Sequence, residues 1–134
     1  MTYLLDTNAC IEHLRSKGTS KVSKRLVAQP PNTVFLCSIV KGELLAGIHR
    51  VRQQQLARAE VDKFFGVFAS VPFDDAAAQH FGRVHASLYA RGTPINAADL
   101  FIAAIALARD LIVVTHNLSD FNRIPGLRIE DWQS

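Results

Sequence analysis

Short apolar runs alternate with longer amphipathic segments along almost the whole chain. Brief, mostly apolar runs at residues 3–6, 33–37, 70–73, 111–115 and 127–129 predict strands. Segments with helical spacing of apolar positions lie between them, at residues 8–15, 21–29, 38–50, 54–68, 75–90 and 97–109. Turn-forming residues, such as Pro30-Pro31-Asn32, fall where these segments join. The alternation predicts a three-layer α/β fold with a central, mostly parallel sheet flanked by helices.

Composition bounds the class of protein. The chain has 134 residues, 49% of them hydrophobic and 20% charged, which predicts one folded domain over residues 1–134. The formal charge of +3 is compatible with a polyanionic partner but does not demand one. No signal-peptide pattern is evident, and the longest apolar run, residues 100–108, is too short to span a bilayer. With two cysteines in no metal-binding spacing, we expect a cytoplasmic protein without membrane association.

Three carboxylates occupy positions where an unpaired negative charge is unusual. Asp6 ends the first apolar run, Glu43 lies within a helical pattern, and Asp99 opens a segment that is apolar on every side. The residues three and four positions from Glu43 and from Asp99 include no lysine or arginine, so neither acid has a partner on its own helix face. Because a buried carboxylate must be neutralised, hydrogen-bonded or paired with a cation, a shared divalent metal is the simplest partner for all three.

Each acid also has an ordinary structural interpretation. Asp6 is placed to cap the helix that follows it, and Asn96 with Asp99 resembles a capping box. Glu43 is too far from a helix start to cap it, so its structural alternative is a long-range salt bridge to an arginine. Ser38 is expected to serve as the N-cap of its own helix.

Taken together, the three acids favour metal chemistry. A ligand set of oxygens without histidine or cysteine suits Mg²⁺ or Mn²⁺ rather than Zn²⁺. In an open α/β sheet, ligands bind beyond the carboxyl ends of the strands, where Asp6 and the segment after residue 115 are expected. Such a site is the usual preparation for phosphodiester hydrolysis.

The same residues resemble a known family. Their order along the chain is Leu5-Asp6-Thr7-Asn8, then Ser38 with Glu43-Leu44, then Asp99-Leu100, Ile102-Ala103-Ala104, and Val114-Thr115-His116-Asn117 with Asp120-Phe121. This series looks like a PIN domain, and the closing run at residues 124–132 is similar to the ending of many VapC toxins. The likeness covers nearly the whole chain in the right order.

The resemblance implies a function, a cofactor and partners. It implies an endoribonuclease toxin of a VapBC-type toxin–antitoxin system that hydrolyses structured RNA such as tRNA and inhibits translation. It also implies Mg²⁺ or Mn²⁺ held by Asp6, Glu43 and Asp99 as catalytic residues. A VapB-like antitoxin and a homodimer are the implied partners.

Neighbouring polar residues are candidates for support. Thr7, Asn8 and Thr115 are expected to hydrogen-bond the carboxylates and fix their rotamers. The family's fourth acid falls on Asn117, which is expected to act through hydrogen bonds. Asp120 either adds charge near the site or forms an Asx-type turn, and the turn is the simpler reading.

Contacts with RNA are less well defined by the sequence. Lys17, Lys21, Arg50 and His116 are candidates for contacting the RNA backbone, although ordinary solvated faces explain each of them as well. Two other functions stay open at this stage. One is a phosphatase or phosphotransferase with Asp6 as nucleophile, although such sites usually carry a second acid where this chain has Asn8. The other is a non-catalytic module that binds a metal or a protein.

Overall fold

The computed structural model describes residues 1–134 and has a five-stranded parallel sheet at its centre. The strands follow the spatial order β3-β2-β1-β4-β5, and every neighbouring pair is parallel. Their bounds are β1 Tyr3–Leu5, β2 Val34–Cys37, β3 Ser70–Val71, β4 Ile112–Val114 and β5 Ile129–Glu130. The predicted α/β fold is confirmed, and each strand lies within the run that predicts it or overlaps with it.

Seven helices connect and cover the strands. They are α1 Thr7–Arg15, α2 Lys21–Val27, α3 Ser38–Ile48, α4 Gln54–Val67, α5 Asp75–Ala90, α6 Ala97–Arg109 and α7 Leu118–Phe121. The first six were predicted. The seventh was not, because four residues form one turn and show no repeating apolar pattern. No helix combines the length and the apolar character needed to cross a membrane.

The core lies against the two central strands. Every residue of β1 and of β4 is buried, as expected for strands covered by helices on both faces. Helix α6 buries a run of apolar and small residues, among them Ala103 and Ala106, whose short side chains let it pack closely. Complete burial of Leu4 and Leu5 contributes about 1.5–3 kcal/mol for each side chain.

The strand order reverses direction next to β1. The chain runs outward from β1 through β2 to β3, then returns to the other side of β1 for β4 and β5. This reversal leaves a crevice at the carboxyl ends of β1 and β4, which is where open α/β sheets bind ligands. The residues that follow these two strands, Asp6 and Thr115, are both buried there.

Candidate active site

Asp6 is the most buried of the predicted acids. Its side chain caps α1 by accepting a hydrogen bond from the amide of Ala9 at 2.8 Å, and its own amide donates to the Val114 carbonyl of β4. The residue is 2% exposed, and this burial raises the pKa of Asp6 to about 6, although hydrogen bonds from Thr115 and Ala9 oppose the shift. The interpretation of Asp6 as a helix cap is therefore confirmed, and the cap also positions a buried acid at the crevice.

Glu43 is not buried, which corrects the sequence expectation. Helix α3 turns Val40, Leu44 and Ile48 toward the core at four-residue spacing, and Glu43 lies on the exposed side of that stripe. Its Oε1 accepts a hydrogen bond from the hydroxyl of Thr7 at the start of α1. No arginine or lysine pairs with Glu43, so the alternative of a long-range salt bridge is wrong.

Asp99 lies in the first turn of α6 and is half-buried rather than enclosed on every side. Asn96 is the N-cap of this helix, as expected, and accepts a hydrogen bond from the amide of Ala98 at 2.8 Å. Burial raises the pKa of Asp99, the hydrogen bond from Asn117 lowers it, and the nearby charges of Asp120 and Glu43 raise it further.

Asn117 connects two acids. Its Nδ2 donates to Asp99 Oδ2 and to Asp120 Oδ2, each at 3.1 Å. Asp120 belongs to α7 and points toward Asp99, so the predicted Asx-type turn is wrong and the alternative of a charge near the site is the one that holds. Arg123 approaches Asp120 to 3.6 Å on the opposite oxygen.

The supporting residues divide into those that touch the acids and one that does not. The Thr7 hydroxyl donates a hydrogen bond to Glu43, and the Thr115 side chain forms one with Asp6. Thr115 Oγ1 also accepts a hydrogen bond from the backbone amide of Asn117 at 2.9 Å. Asn8 is exposed and makes no hydrogen bond to any carboxylate, contrary to expectation. Ser38 does not cap α3 either, because Cys37 occupies the N-cap position without a side-chain hydrogen bond.

The three predicted acids lie close enough for their charges to affect one another. The charges of Asp99 and Glu43 both raise the pKa of Asp6, and no lysine, arginine or histidine lies within ion-pair distance of Asp6, Glu43 or Asp99. Clustered carboxylates that lack a cation, and that offer only oxygen ligands, fit a hard divalent ion such as Mg²⁺. The side chains do not stand in a ready-made ligand cluster of three or more groups, so a shared ion would have to draw them closer together.

Most of the predicted RNA-contacting residues lie away from the acids. Lys17 lines an apolar groove of about 860 Å³ together with Phe64, Pro30 and Ala69. Because this apolar groove includes residues that precede β2 and β3, it lies toward the amino ends of the strands, at the end of the sheet opposite the carboxylates. Lys21 begins α2, and Arg50 follows the end of α3, about 18 Å along the helix from its start beside the sheet. None of these three side chains makes an ion pair with Asp6, Glu43 or Asp99.

His116 is the one predicted RNA contact beside the acids. It lines an open, polar cleft of about 410 Å³, which also includes Asn117 and four residues of α1, namely Asn8, Ile11, Glu12 and Arg15. Arg15 was not among the predicted RNA contacts. The spacing of seven between Asn8 and Arg15, two turns of one helix face, was the signal that was available.

Comparison with known proteins finds relatives over nearly the whole chain. The family model of the PIN domain matches residues 3–127. A relative from Salmonella typhimurium, the tRNA(fMet)-specific endonuclease VapC, is 35% identical over 139 residues and covers 98% of both chains. A protein of the same name from Shigella flexneri is 33% identical over 132 residues, again with 98% of both chains covered. The DNA-bound VapBC structure from Salmonella typhimurium contains a chain that matches with a TM-score of 0.92 and 36% identity over 98% of each chain.

Proposed function

This chain belongs to the PIN-domain family and, within it, to the VapC ribonucleases, and we propose that it is a metal-dependent endoribonuclease toxin acting on structured RNA. The observation that carries the proposal is the set of three acids without a cationic partner, Asp6, Glu43 and Asp99, at the crevice between β1 and β4. Its relatives act on tRNA(fMet) according to their names, so tRNA is the substrate class that we propose for this chain.

Asp6, Glu43 and Asp99 would hold Mg²⁺ or Mn²⁺. When bound, such a cation lowers the pKa of water and offsets the charge that develops on the phosphate. The oxygen-only ligand set and the raised pKa values of Asp6 and Asp99 support this assignment. Burial is the main cause that disfavours the ionised form of both acids, with a smaller effect from neighbouring acids, and a bound cation would offset that cost.

The surrounding residues set the positions of the acids before substrate arrives. The Ala9 amide and Thr115 hold the Asp6 carboxylate between β1 and β4, and the Thr7 hydroxyl holds Glu43. Asn117 carries no charge itself and instead orients Asp99 and Asp120 through its two N–H groups. Fixed carboxylate positions reduce the reorganisation that the reaction would otherwise require.

The phosphatase alternative receives no support from the residues around Asp6. A second acid at the position of Asn8 would be required to protonate a leaving group, and Asn8 is an exposed amide.

We propose a VapB-like antitoxin and a second copy of the chain as partners. The structure from Salmonella typhimurium that resembles this fold is a VapBC complex, which supports the first. The apolar groove between α1, α2 and α4 is the binding site that we propose for an apolar segment of the antitoxin. Val27 and Val67 line this groove and are 80% and 67% exposed.

A cleavage assay tests the enzymatic proposal. We expect the purified chain to cut a total tRNA pool into discrete fragments with Mg²⁺ or Mn²⁺, and to leave it intact with a chelator. Asp6→Asn should lower the rate by more than about a hundredfold, the upper end of what even outer-shell partners contribute. Asparagine caps a helix as well as aspartate does, so the fold should survive.

Asp62→Asn is the matched control, because Asp62 is an exposed acid of α4 away from the crevice. It should cleave at the parent rate. Equal cleavage by Asp6→Asn and the parent would show that the activity does not come from this site.

A further inference from the structure

The polar cleft adjoins the acids and continues from them. Asn8, Glu12 and Arg15 lie on successive turns of α1 and form one wall, while His116, Asn117 and Gln133 form the other. Asn117 belongs to both the cleft and the acid site, since its amide holds Asp99. An RNA strand that places one phosphate at the acids would therefore place its next nucleotide in this cleft.

Arg15 is the free cation of the cleft. Its guanidinium makes no ion pair and no side-chain hydrogen bond with the rest of the chain, although Glu12 lines the same cleft one turn away. A guanidinium presents a planar fork of N–H donors that matches phosphate oxygens. Glu12 is likewise unpaired and offers acceptor oxygens to amino groups, such as those on the edges of bases.

His116 is held in a defined orientation. Its Nδ1 lies 3.0 Å from Asp131 Oδ2, and the Asp131 carboxylate also accepts hydrogen bonds from the Gln133 amide at 2.9 Å and the Ser134 hydroxyl at 2.7 Å. The Asp131 side chain is 10% exposed and precedes the buried Trp132, so it is a fixed anchor, whereas the His116 side chain is 61% exposed. With Nδ1 committed to Asp131, Nε2 is the nitrogen left for a ligand.

We propose that the polar cleft binds the nucleotide next to the phosphodiester that is cut, with Arg15 on its phosphate and His116 Nε2 on its sugar–phosphate backbone. The inference rests on the proposed ribonuclease function and identifies how that site would hold its substrate. Ile11 is the single hydrophobic residue in the lining, which disfavours an apolar peptide as the occupant. The volume of about 410 Å³ lies within the range of small-molecule sites.

Binding of RNA without cleavage tests the cleft directly. The probe is fluorescently labelled tRNA(fMet), the RNA in the relatives' names, titrated with the full chain in the presence of a chelator at several salt concentrations. Arg15→Gln should weaken binding by about tenfold and reduce the slope of log affinity against log salt by about one, since one phosphate contact is lost. Arg15 is exposed, so the variant should fold, which circular dichroism checks.

Lys17→Gln is the matched control. It removes the same charge two residues farther along, but from the apolar groove rather than from the polar cleft. Its affinity and salt slope should equal those of the parent. Equal losses for Arg15→Gln and Lys17→Gln, or no binding of tRNA by the parent, would overturn the cleft as a nucleotide site.

Asp131 should act through His116. His116→Gln and Asp131→Asn should each weaken binding by about threefold, and the double variant should weaken it no further, because both remove the same positioned contact. Additive losses would mean that Asp131 holds the chain end without positioning His116.

Cleavage kinetics separate failure of this inference from failure of the proposed function. With Mg²⁺, Arg15→Gln should raise KM and leave kcat close to that of the parent, as expected for a contact outside the reacting atoms. Parent cleavage with an unchanged KM in Arg15→Gln would refute the cleft and leave the nuclease standing. Arg15-dependent binding without cleavage by the parent would support the cleft and refute the nuclease.

Discussion

At the scale of single residues, Asp6 combines two roles that usually oppose each other. As an N-cap it stabilises α1, typically by about 1 kcal/mol. As a buried acid near Glu43 and Asp99 it destabilises the fold whenever it is ionised. An amide at this position would keep the cap and remove the charge, so the cost of the acid points to a role beyond folding.

The pH dependence of stability follows from the raised pKa of Asp6. Its folded value of about 6 lies above its ordinary value of 3.8, so folding favours the neutral acid. Well below pH 3.8 both states hold the proton, and the contribution of this acid to the free energy of unfolding is then fully present. It falls as pH rises from about 4 to 6, by about 3 kcal/mol in all for this acid, and stays low above that range.

Urea unfolding in a chelator between pH 4 and 8 measures this effect. In the chelator, Asp6→Asn should be more stable than the parent above pH 6 and should approach it near pH 4. In a separate series without chelator, Mg²⁺ should stabilise the parent but not the variant. Two curves that stay parallel across this range would contradict the assignment of the shift to Asp6.

At the scale of elements, the start of α6 sets the position of Asp99. Asn96 caps the helix one turn before the acid, and Asn117 holds the acid from the loop after β4. Asp99 is thus positioned by two separate segments of the chain. Loss of either interaction should displace the carboxylate and lower the cleavage rate.

Removing the α6 cap tests this placement. Asn96→Ala should lower the free energy of unfolding by about 1 kcal/mol. It should also reduce kcat several-fold, because the first turn of α6 carries Asp99. Thermal unfolding and the tRNA cleavage assay measure the two effects.

Ser20→Ala removes the side-chain cap of α2, a helix without a proposed catalytic residue. It should cost similar stability and leave kcat unchanged. If both variants lose activity in proportion to stability, the cap of α6 has no special link to the site.

At the scale of the whole molecule, two openings lie at different ends of the sheet. The polar cleft adjoins the carboxyl ends of β1 and β4, and the apolar groove lies near the amino ends of β2 and β3. Their linings differ in chemistry, because the groove contains Phe64, Phe68 and exposed valines whereas the cleft is almost wholly polar. RNA and antitoxin can therefore be assigned to different surfaces.

A charge in the groove should separate the two partners. Val67→Asp places a carboxylate at a 67% exposed position, so the fold should tolerate it. We expect this variant to cleave tRNA normally but to lose a co-expressed VapB-like antitoxin during gel filtration. Val51→Asp, at a 45% exposed position outside the groove, is the control and should retain the antitoxin. Retention by both variants would place the antitoxin elsewhere.

The pattern of residues along the chain was enough to predict the fold class and to single out the three candidate acids. Burial of β1 and β4 on both faces requires uninterrupted apolar runs, and such runs can be recognised in the amino-acid sequence. The order of the motifs around Asp6, Glu43 and Asp99 indicated the family, and the family model confirms it.

How these residues are held depends on contacts between elements that the chain pattern does not show. Exposure of Glu43 depends on which side of α3 meets the core, and the apolar residues on both sides of it left that choice open. Asn117 contacts both Asp99 and Asp120. One cleft includes both Arg15 and His116, which lie about a hundred residues apart in sequence. Only the parallel sheet brings these segments together. Local patterns record what a segment buries, whereas contacts between polar side chains across a crevice leave no periodic signal in the chain.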